Sequence, residues 1–401
     1  MRICFIATDI GPSMSGTFVR GHVNNIVRLS RALTQMGHNI HIITNKPGFS
    51  HPTLYEKWMP HAQVSYFPTM FPSLKANGPE FAIKALSKII SGRHKRPFDI
   101  VNVHSGFPAL AILSALSKKF TKFKTVHTLY SPFDFALNNS ILDRLFLYRI
   151  TCSSFSSLDK IVAVSENVKR SLISRHVDEN RITVIPPAIS EDFLRPHLNS
   201  QNVRVILGIN KAAPVVTYMG GFEGSKGLVL LLKIIAAVII KIPEVVFVVA
   251  LNRPADDPRL KMLQMDLQKR GLSKNIRVVG ITDRIADILR IGDVFVAPYL
   301  HTMGVADYPL AIFEAMAVGK VVVAFDVGGI SEMLNEERGI AIRPGDTVSF
   351  VENIVRILRN KAEANNIGKA ASQFVVQNFS AEIVAGKTIE LFTDLLENKT
   401  L

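Results

Sequence analysis

Apolar residues in this chain come in two alternating textures. Short runs rich in Val, Ile and Phe recur between longer stretches in which apolar positions return every three or four residues. The first texture predicts buried strands and the second amphipathic helices. Strands are expected over 3–8, 39–44, 100–104, 124–127, 160–165 and 181–185, with helices over 19–36 and from 108 onward. A second series is expected at 215–219, 245–251, 276–279, 294–298, 321–325 and 339–342. Strands alternating with helices mark a parallel α/β architecture, so two open, doubly wound sheets are expected, one per half. Pro186-Pro187 and the polar stretch to Lys211 read as a hinge, and 380–398 reads as a closing amphipathic helix. Such sheets bind ligands at the carboxyl ends of their strands, which puts the expected chemistry in a cleft between the two domains.

A chain of 401 residues with 48% hydrophobic content supplies real cores for two or more domains. Its two cysteines, Cys4 and Cys152, make neither a disulfide framework nor a metal knuckle and suit a reducing compartment. The opening residues look like a first strand rather than a signal peptide. The apolar stretch 227–251 is interrupted by Lys233, Lys241, Pro243 and Glu244, so it reads as a helix (228–241) and a buried strand, not a membrane span. Charge is lopsided: residues 1–190 carry 23 Lys and Arg against 10 Asp and Glu, whereas the rest is nearly balanced. Lys84, Lys88, Arg93, Lys95 and Arg96, interleaved with Leu86, Ile89 and Ile90, form one cluster; Lys118, Lys119, Lys122 and Lys124 form another. The first has the pattern of a helix lying on an anionic membrane surface, with a solvated helix face as the plainer alternative. No recognisable nucleic-acid motif accompanies the charge, and no nucleic-acid partner is expected.

The segment from Asp307 to Val322 reads as loop, helix, Gly319 stop and buried strand. Pro309 fits a first helical turn, where its missing N–H would have no intrahelical partner. The amides that follow, on Leu310, Ala311 and Ile312, would point out of the helix end, a ready anion site. Glu314, about one turn in, would reach something polar beside that anion. An anion plus a carboxylate for hydroxyls describes a nucleotide-sugar. The competing reading is a packed helix, since Leu310, Ile312, Phe313, Ala315 and Met316 are apolar.

Two small-residue loops join strands to helices. One, over 9–17, contains Gly11, Gly16 and Thr17 and lets backbone approach a phosphate or sugar closely. It lacks the P-loop lysine and the dinucleotide G-x-G-x-x-G. The other, over 219–227, sets Lys226 near a helix start, where the dipole prefers anions; a bound diphosphate would resolve that conflict. His104 and His127 fall at predicted strand ends, from which an imidazole can donate to sugar hydroxyls or stabilise developing charge. No His, Cys or Asp set has metal spacing and no D-x-D triplet occurs, so no metal or other cofactor is expected.

Taken in order, these segments resemble the family-4 retaining glycosyltransferases of the GT-B type (glycosyl transferases group 1). The resemblance runs from Gly16 through His38-Asn39-Ile40, Asp99 to His104, Thr125-Val126-His127-Thr128, Asp159 to Ser165 and Val184-Ile185-Pro186. It continues through Lys226-Gly227, Glu314 to Ala317, Gly328-Gly329, Glu332 and Gly345-Asp346, nearly the whole length. It implies two Rossmann-like domains facing a cleft. Residues 1–187, completed by the C-terminal helix (380–401), would bind the acceptor, and 188–379 would bind a nucleoside-diphosphate-sugar donor. Gly16, Thr17, Lys226, Ile281, Leu310, Ala311 and Glu314 would contact the donor, with Lys226 on the diphosphate, Glu314 on the ribose and Ile281 at the base. His104 and Arg20 would lie on the acceptor side. His127 and Asp307 would serve the reaction centre.

The implied reaction is front-face sugar transfer through an oxocarbenium-like state to a lipid-linked or polysaccharide acceptor. It would take place at the cytoplasmic face of the plasma membrane, as part of cell-envelope polysaccharide synthesis. Three departures stand out. Gly221 occupies a position where the family usually has Arg, Ala306 replaces the first glutamate of a paired motif, and Pro187-Ala188 replaces Asn-Gly. Losing a cation from a buried anion site costs about 1.5–3 kcal/mol unless another, such as Arg20 or Arg253, replaces it. A catalytically silent binding protein on the same fold and a sugar-nucleotide epimerase are the alternatives.

Overall fold

Parallel strands covered by helices on both faces need apolar side chains on both sides, which is why the strand segments read as near-continuous Val and Ile runs. The computed structural model describes the chain except for residues 9, 11–20, 46–58, 69–73, 93–97, 106–107, 121–122, 133–147, 196–199, 302–305 and 398–401. It divides into two units, Met1–Ala188 with Ala381–Leu401, and Ile189–Ser380.

The first unit carries a seven-stranded parallel sheet. Its strands are β1 (Arg2–Thr8), β2 (Asn39–Asn45), β3 (Gln63–Tyr66), β4 (Ile100–His104), β5 (Lys124–Leu129), β6 (Lys160–Ala163) and β7 (Ile182–Val184), in the order β3-β2-β1-β4-β5-β6-β7. The two-residue period of a strand splits the core. Ile3, Phe5 and Ala7 of β1 join the cluster that includes residues of helix Gly21–Gln35 and of the C-terminal helix Ala381–Glu397. Cys4 and Ile6 face the cluster formed with helices Leu74–Gly92 and Pro108–Phe120. Burial pushes the Cys4 thiol pKa up and leaves that group inert.

The second unit carries six parallel strands: β8 (Val215–Gly220), β9 (Val246–Leu251), β10 (Ile276–Val279), β11 (Val294–Ala297), β12 (Val321–Phe325) and β13 (Ile340–Ile342), in the order β10-β9-β8-β11-β12-β13. Helix Leu310–Ala317 is fixed at its far end by Gly319, which adopts φ 75° while Lys320 N–H returns to the Ala315 carbonyl at 3.0 Å. Ser372, on helix Lys361–Phe379, donates to the Ala317 carbonyl at 2.9 Å and docks the two helices.

Two sequence expectations change. Strand β3 was not foreseen: its four residues are at most half-buried and lack a long apolar run. The polar stretch after Pro187 is not a linker through to Lys211, because helices Glu191–Leu194 and Ser200–Ile206 fall within it. Arg204 fastens that stretch to the second unit by donating to the carbonyls of Asn210, Lys211, Ala213 and Ile291 at 3.1–3.2 Å.

Candidate active site

In an open sheet, ligands gather where strand order reverses. In the second unit that point lies between β8 and β11. The loop leaving β8 is held tightly. The Tyr218 hydroxyl donates to the Lys226 carbonyl at 3.1 Å and runs so close to Gly220 that a Cβ there would strike the phenol. Residues Gly224–Lys226 make one 3-10 turn, and Gly227 follows at φ 68°. A side chain at 227 would also strike the Pro298 carbonyl, so conformation and space both demand glycine.

Tyr299, two residues past β11, is fully buried and donates to the Met219 carbonyl at 3.1 Å. The Lys226 ammonium lies 4.5 Å from the centre of its ring. That contact steadies the cation without consuming its N–H donors on an anion. Burial pushes the Lys226 pKa down to about 8, against the pull of the Glu223 carboxylate. Burial, and then the charge of Glu314, raise the Tyr299 pKa. Tyr299 therefore senses both Lys226 and a carboxylate that is itself 5% exposed.

Helix Leu310–Ala317 starts from Pro309, which is the cap rather than the first helical residue and offers no side-chain cap bond. The expectation of three outward amides is reduced by one. Ile312 N–H turns back to the Pro309 carbonyl at 3.0 Å, which leaves Leu310 and Ala311. Asp307 is fully buried against Gly329, where a Cβ would lie 2.7 Å from its carboxylate. The Tyr308 hydroxyl beside it donates to Glu332 at 2.7 Å. Ile281 donates its N–H to the Arg253 carbonyl at 2.8 Å, so that amide is already engaged.

In the first unit the switch point lies between β1 and β4, and His104 ends β4 there. Its Nδ1 meets the Tyr130 hydroxyl at 3.0 Å, and that oxygen receives Asn25 Nδ2 at 2.9 Å. Asn25 Oδ1 accepts the Ala188 N–H at 2.7 Å, while Arg28 donates to the Ala188 carbonyl at 3.2 Å. The last residue of this unit before the chain passes on is thus clamped to the first helix. His104 Nε2 is buried without a partner among the described residues. It borders a cavity of ≈ 20 Å³ lined also by Asn25, Asn102, Thr128 and Thr388, which is room for one water. Burial pushes the His104 pKa down to about 3, helped by His127 and His22.

His127 departs from expectation. Strand β5 runs on to Leu129, so His127 is inside the strand and, by the two-residue period, faces away from His104. It is fully buried; Nδ1 meets Ser114 Oγ at 2.8 Å, Nε2 meets the Ser105 carbonyl at 2.6 Å, and Phe155 packs edge-on. Burial, partly opposed by the Ser105 bond, pushes its pKa down to about 4. Both ring nitrogens are committed, Nε2 to the turn after β4 and Nδ1 to helix Pro108–Phe120.

Comparison with known proteins gives the family. The family description Glycosyltransferase Family 4 matches residues 19–193, and Glycosyl transferases group 1 matches residues 213–360. The chain belongs to the family-4 glycosyltransferases. It is 26% identical over 385 residues to the phosphatidylinositol N-acetylglucosaminyltransferase GPI3 subunit of Saccharomyces cerevisiae, covering 92% of this chain and 79% of that one. It is 25% identical over 325 residues to the UDP-Gal:alpha-D-GlcNAc-diphosphoundecaprenol alpha-1,3-galactosyltransferase of Escherichia coli, covering 79% and 81%. The fold matches a glycosyltransferase structure from Rickettsia africae with a TM-score of 0.78 and 19% identity, over 99% of both chains. The glycosyltransferase therefore has the GT-B fold.

Of the site residues read from sequence, Lys226, Glu314, Leu310, Ala311 and Asp307 fall at or beside the switch point of the second unit. His104 falls at that of the first. Gly16, Thr17 and Arg20 lie outside the described residues. Tyr299, Tyr130 and Asn25 were missed. Tyr299 carried one signal, its place just past a buried strand, whereas Asn25 read as one polar residue in an amphipathic helix.

Proposed function

We propose that this glycosyltransferase moves a sugar from a nucleoside-diphosphate donor, held by the second unit, to a lipid-linked acceptor held by the first. The observation that carries the reading is the grouping, within one unit, of the Lys226 cation, 4.5 Å from the Tyr299 ring centre, and the buried Glu314 carboxylate, whose charge acts on the same tyrosine. The uncapped helix start at Leu310 lies one turn before Glu314. The diphosphate rests on the Leu310 and Ala311 amides and on Lys226; Glu314 takes the ribose hydroxyls and Asp307 those of the sugar. Transfer proceeds on the front face with retention and without a metal: as the anomeric carbon–oxygen bond breaks, the departing phosphate accepts the acceptor's proton. Fixed donors aimed at the growing negative charge lower such a barrier more than an acid–base pair would. The acceptor-side residue is His104.

A lipid acceptor is supported by the names of the two relatives, one acting on phosphatidylinositol and one on a diphosphoundecaprenol sugar. The work surface is then the cytoplasmic face of a membrane. Among the described residues no helix is long and apolar enough to cross one. Helix Leu74–Gly92 exposes Ile83 (71%) and Ile90 beside Lys88, a pattern suited to an anionic lipid surface. Lys84 and Lys118 contribute less, since Lys84 is paired with Glu80 at 2.6 Å and Lys118 with Asp159 at 3.0 Å. Arg93, Lys95, Arg96 and Lys122 lie outside the described residues.

The test is calorimetry with UDP, GDP and ADP, followed by transfer assays with the matching sugar donors and undecaprenyl-diphosphate or phosphatidylinositol acceptors in EDTA. One nucleotide binding, with a retained product anomer, is the expected result. Failure of all three nucleotides to bind would remove the reading.

A further inference from the structure

Position 221, directly after β8, has no side chain to offer an anion, yet the space beside it is not apolar. A Cβ at Gly221 would fall against the Glu223 carboxylate, 2.7 Å from Asn252 Oδ1. Strand β9 delivers the next residues to the same place: Asn252 N–H donates to the Gly220 carbonyl at 3.0 Å, and Arg253 follows. The Arg253 backbone is rigid. Its N–H returns to the Leu251 carbonyl at 2.8 Å, its carbonyl accepts Ile281 N–H at 2.8 Å, and Pro254 comes next.

Its side chain, in contrast, is held by little. The guanidinium approaches Glu223 only to 4.0 Å, beyond hydrogen-bond reach, and its buried Nε has no partner among the described residues. Asn252 Oδ1 is likewise buried and unpartnered among them. The nearby Arg259 is committed, with two bonds to Asp257 at 3.0 and 2.7 Å. A guanidinium this poorly satisfied, in a turn this well fixed, is a donor fork waiting for an acceptor. Glu223, half-exposed on the loop that carries Lys226, is the negative charge that stands in for one.

Resting on the donor reading above, we infer that Arg253 is the second cation of the diphosphate site, in place of a side chain at position 221, and that Glu223 is an internal anion which the bound diphosphate displaces. The two lobes of charge then come from neighbouring strand ends: Lys226 from the loop after β8 and Arg253 from the turn after β9. No covalent step is involved. A ligand diphosphate exchanges one carboxylate at 4.0 Å for charge-assisted hydrogen bonds.

The experiment is calorimetry of the full chain with UDP, GDP, ADP and the matching phosphate-free nucleosides, for wild type, Arg253→Gln, Arg253→Lys, Glu223→Gln and the Glu223→Gln/Arg253→Gln double variant. Thermal melts check that each variant is folded. Arg253→Gln should weaken the preferred nucleoside diphosphate by about tenfold or more while nucleoside binding is unchanged. Arg253→Lys should recover part of the loss, since a point charge lacks the fork. Glu223→Gln should tighten diphosphate binding, and that gain should vanish when Arg253 is also replaced. Wild-type binding with an indifferent Arg253→Gln, or weakening by Glu223→Gln, overturns this inference alone. A wild-type chain that binds no nucleoside diphosphate overturns both this inference and the donor reading.

Discussion

The two switch points of this molecule are built on opposite electrostatic plans. Around His104, the side chains of Asn25, Tyr130 and His104 form a hydrogen-bonded chain, and burial suppresses ionisation of the imidazole. Around Tyr299, charge is kept: Lys226 rests on an aromatic face, Glu314 is buried, and a helix end stays uncapped. A neutral, hydroxyl-bearing surface suits a saccharide acceptor, since sugars are bound by donors and acceptors without net charge. A centre with uncommitted cations suits a dianion whose leaving must be stabilised. On the proposed function, the contrast would let two similar sheets in one chain serve different partners.

The largest expected effect breaks the charged side of this contrast. Lys226→Ala or Glu314→Ala should lower nucleoside-diphosphate affinity by roughly tenfold to a hundredfold, each removing a hydrogen-bonded charge worth about 1.5–3 kcal/mol. Calorimetry reads this directly. Equal binding by both variants would mean the cation and the carboxylate do not face the ligand.

The neutral side is tested by His127→Phe, which keeps a ring but takes the His127 partner from the Ser105 carbonyl, while the Ser114 hydroxyl keeps its bond to the Leu110 carbonyl at 3.0 Å. Losing one buried hydrogen-bond partner costs about 1–3 kcal/mol, so urea unfolding should show a loss of stability in the first unit. Unchanged stability with abolished transfer would return His127 to the reaction centre.

Next come opposite pH responses. His104 and His127 have folded pKa values of about 3 and about 4, below the ordinary 6.5. The unfolded chain then binds more protons than the folded one between pH 6.5 and about 4. Stability should fall as pH falls through that window, by up to about 1.4 kcal/mol per pH unit for each histidine. Lys226, at about 8, loses its charge as pH rises, so nucleotide affinity should drop above pH 8. Melting curves and titrations across pH would separate the two. A nucleotide affinity flat from pH 7 to 10 would contradict the role of Lys226.

The smallest effect concerns the membrane. Replacing Lys84, Lys88, Lys95 and Arg96 together should weaken flotation with anionic vesicles, as added salt should, at about 1 kcal/mol or less per charge. Because Lys84 is already paired, its single replacement should contribute least.

Much of the fold was legible because parallel strands announce themselves as apolar runs; β4, β10 and β12 fall on the expected residues. Strand β3 escaped for the converse reason, being short and half-exposed. The site was legible where a residue type is rare at its position: a lysine at a helix start, a carboxylate in an apolar helix, a proline before amides. It was illegible where function depends on which face a side chain takes. His104 and His127 looked equivalent as strand-end histidines, and only the register of β5 on β4, which sets His127 opposite Val103, shows that they point to opposite sides of the sheet. Arg253 was one of two candidate replacement cations in the sequence, and the turn after β9 brings its guanidinium to 4.0 Å from Glu223.

The most direct test is a crystal structure of the chain with its nucleoside-diphosphate-sugar. The diphosphate should lie within hydrogen-bond distance of the Leu310 or Ala311 N–H and of Lys226 Nζ, with the ribose on Glu314. A nucleotide bound elsewhere, with Lys226 still resting on Tyr299 and the helix start untouched, would contradict the account.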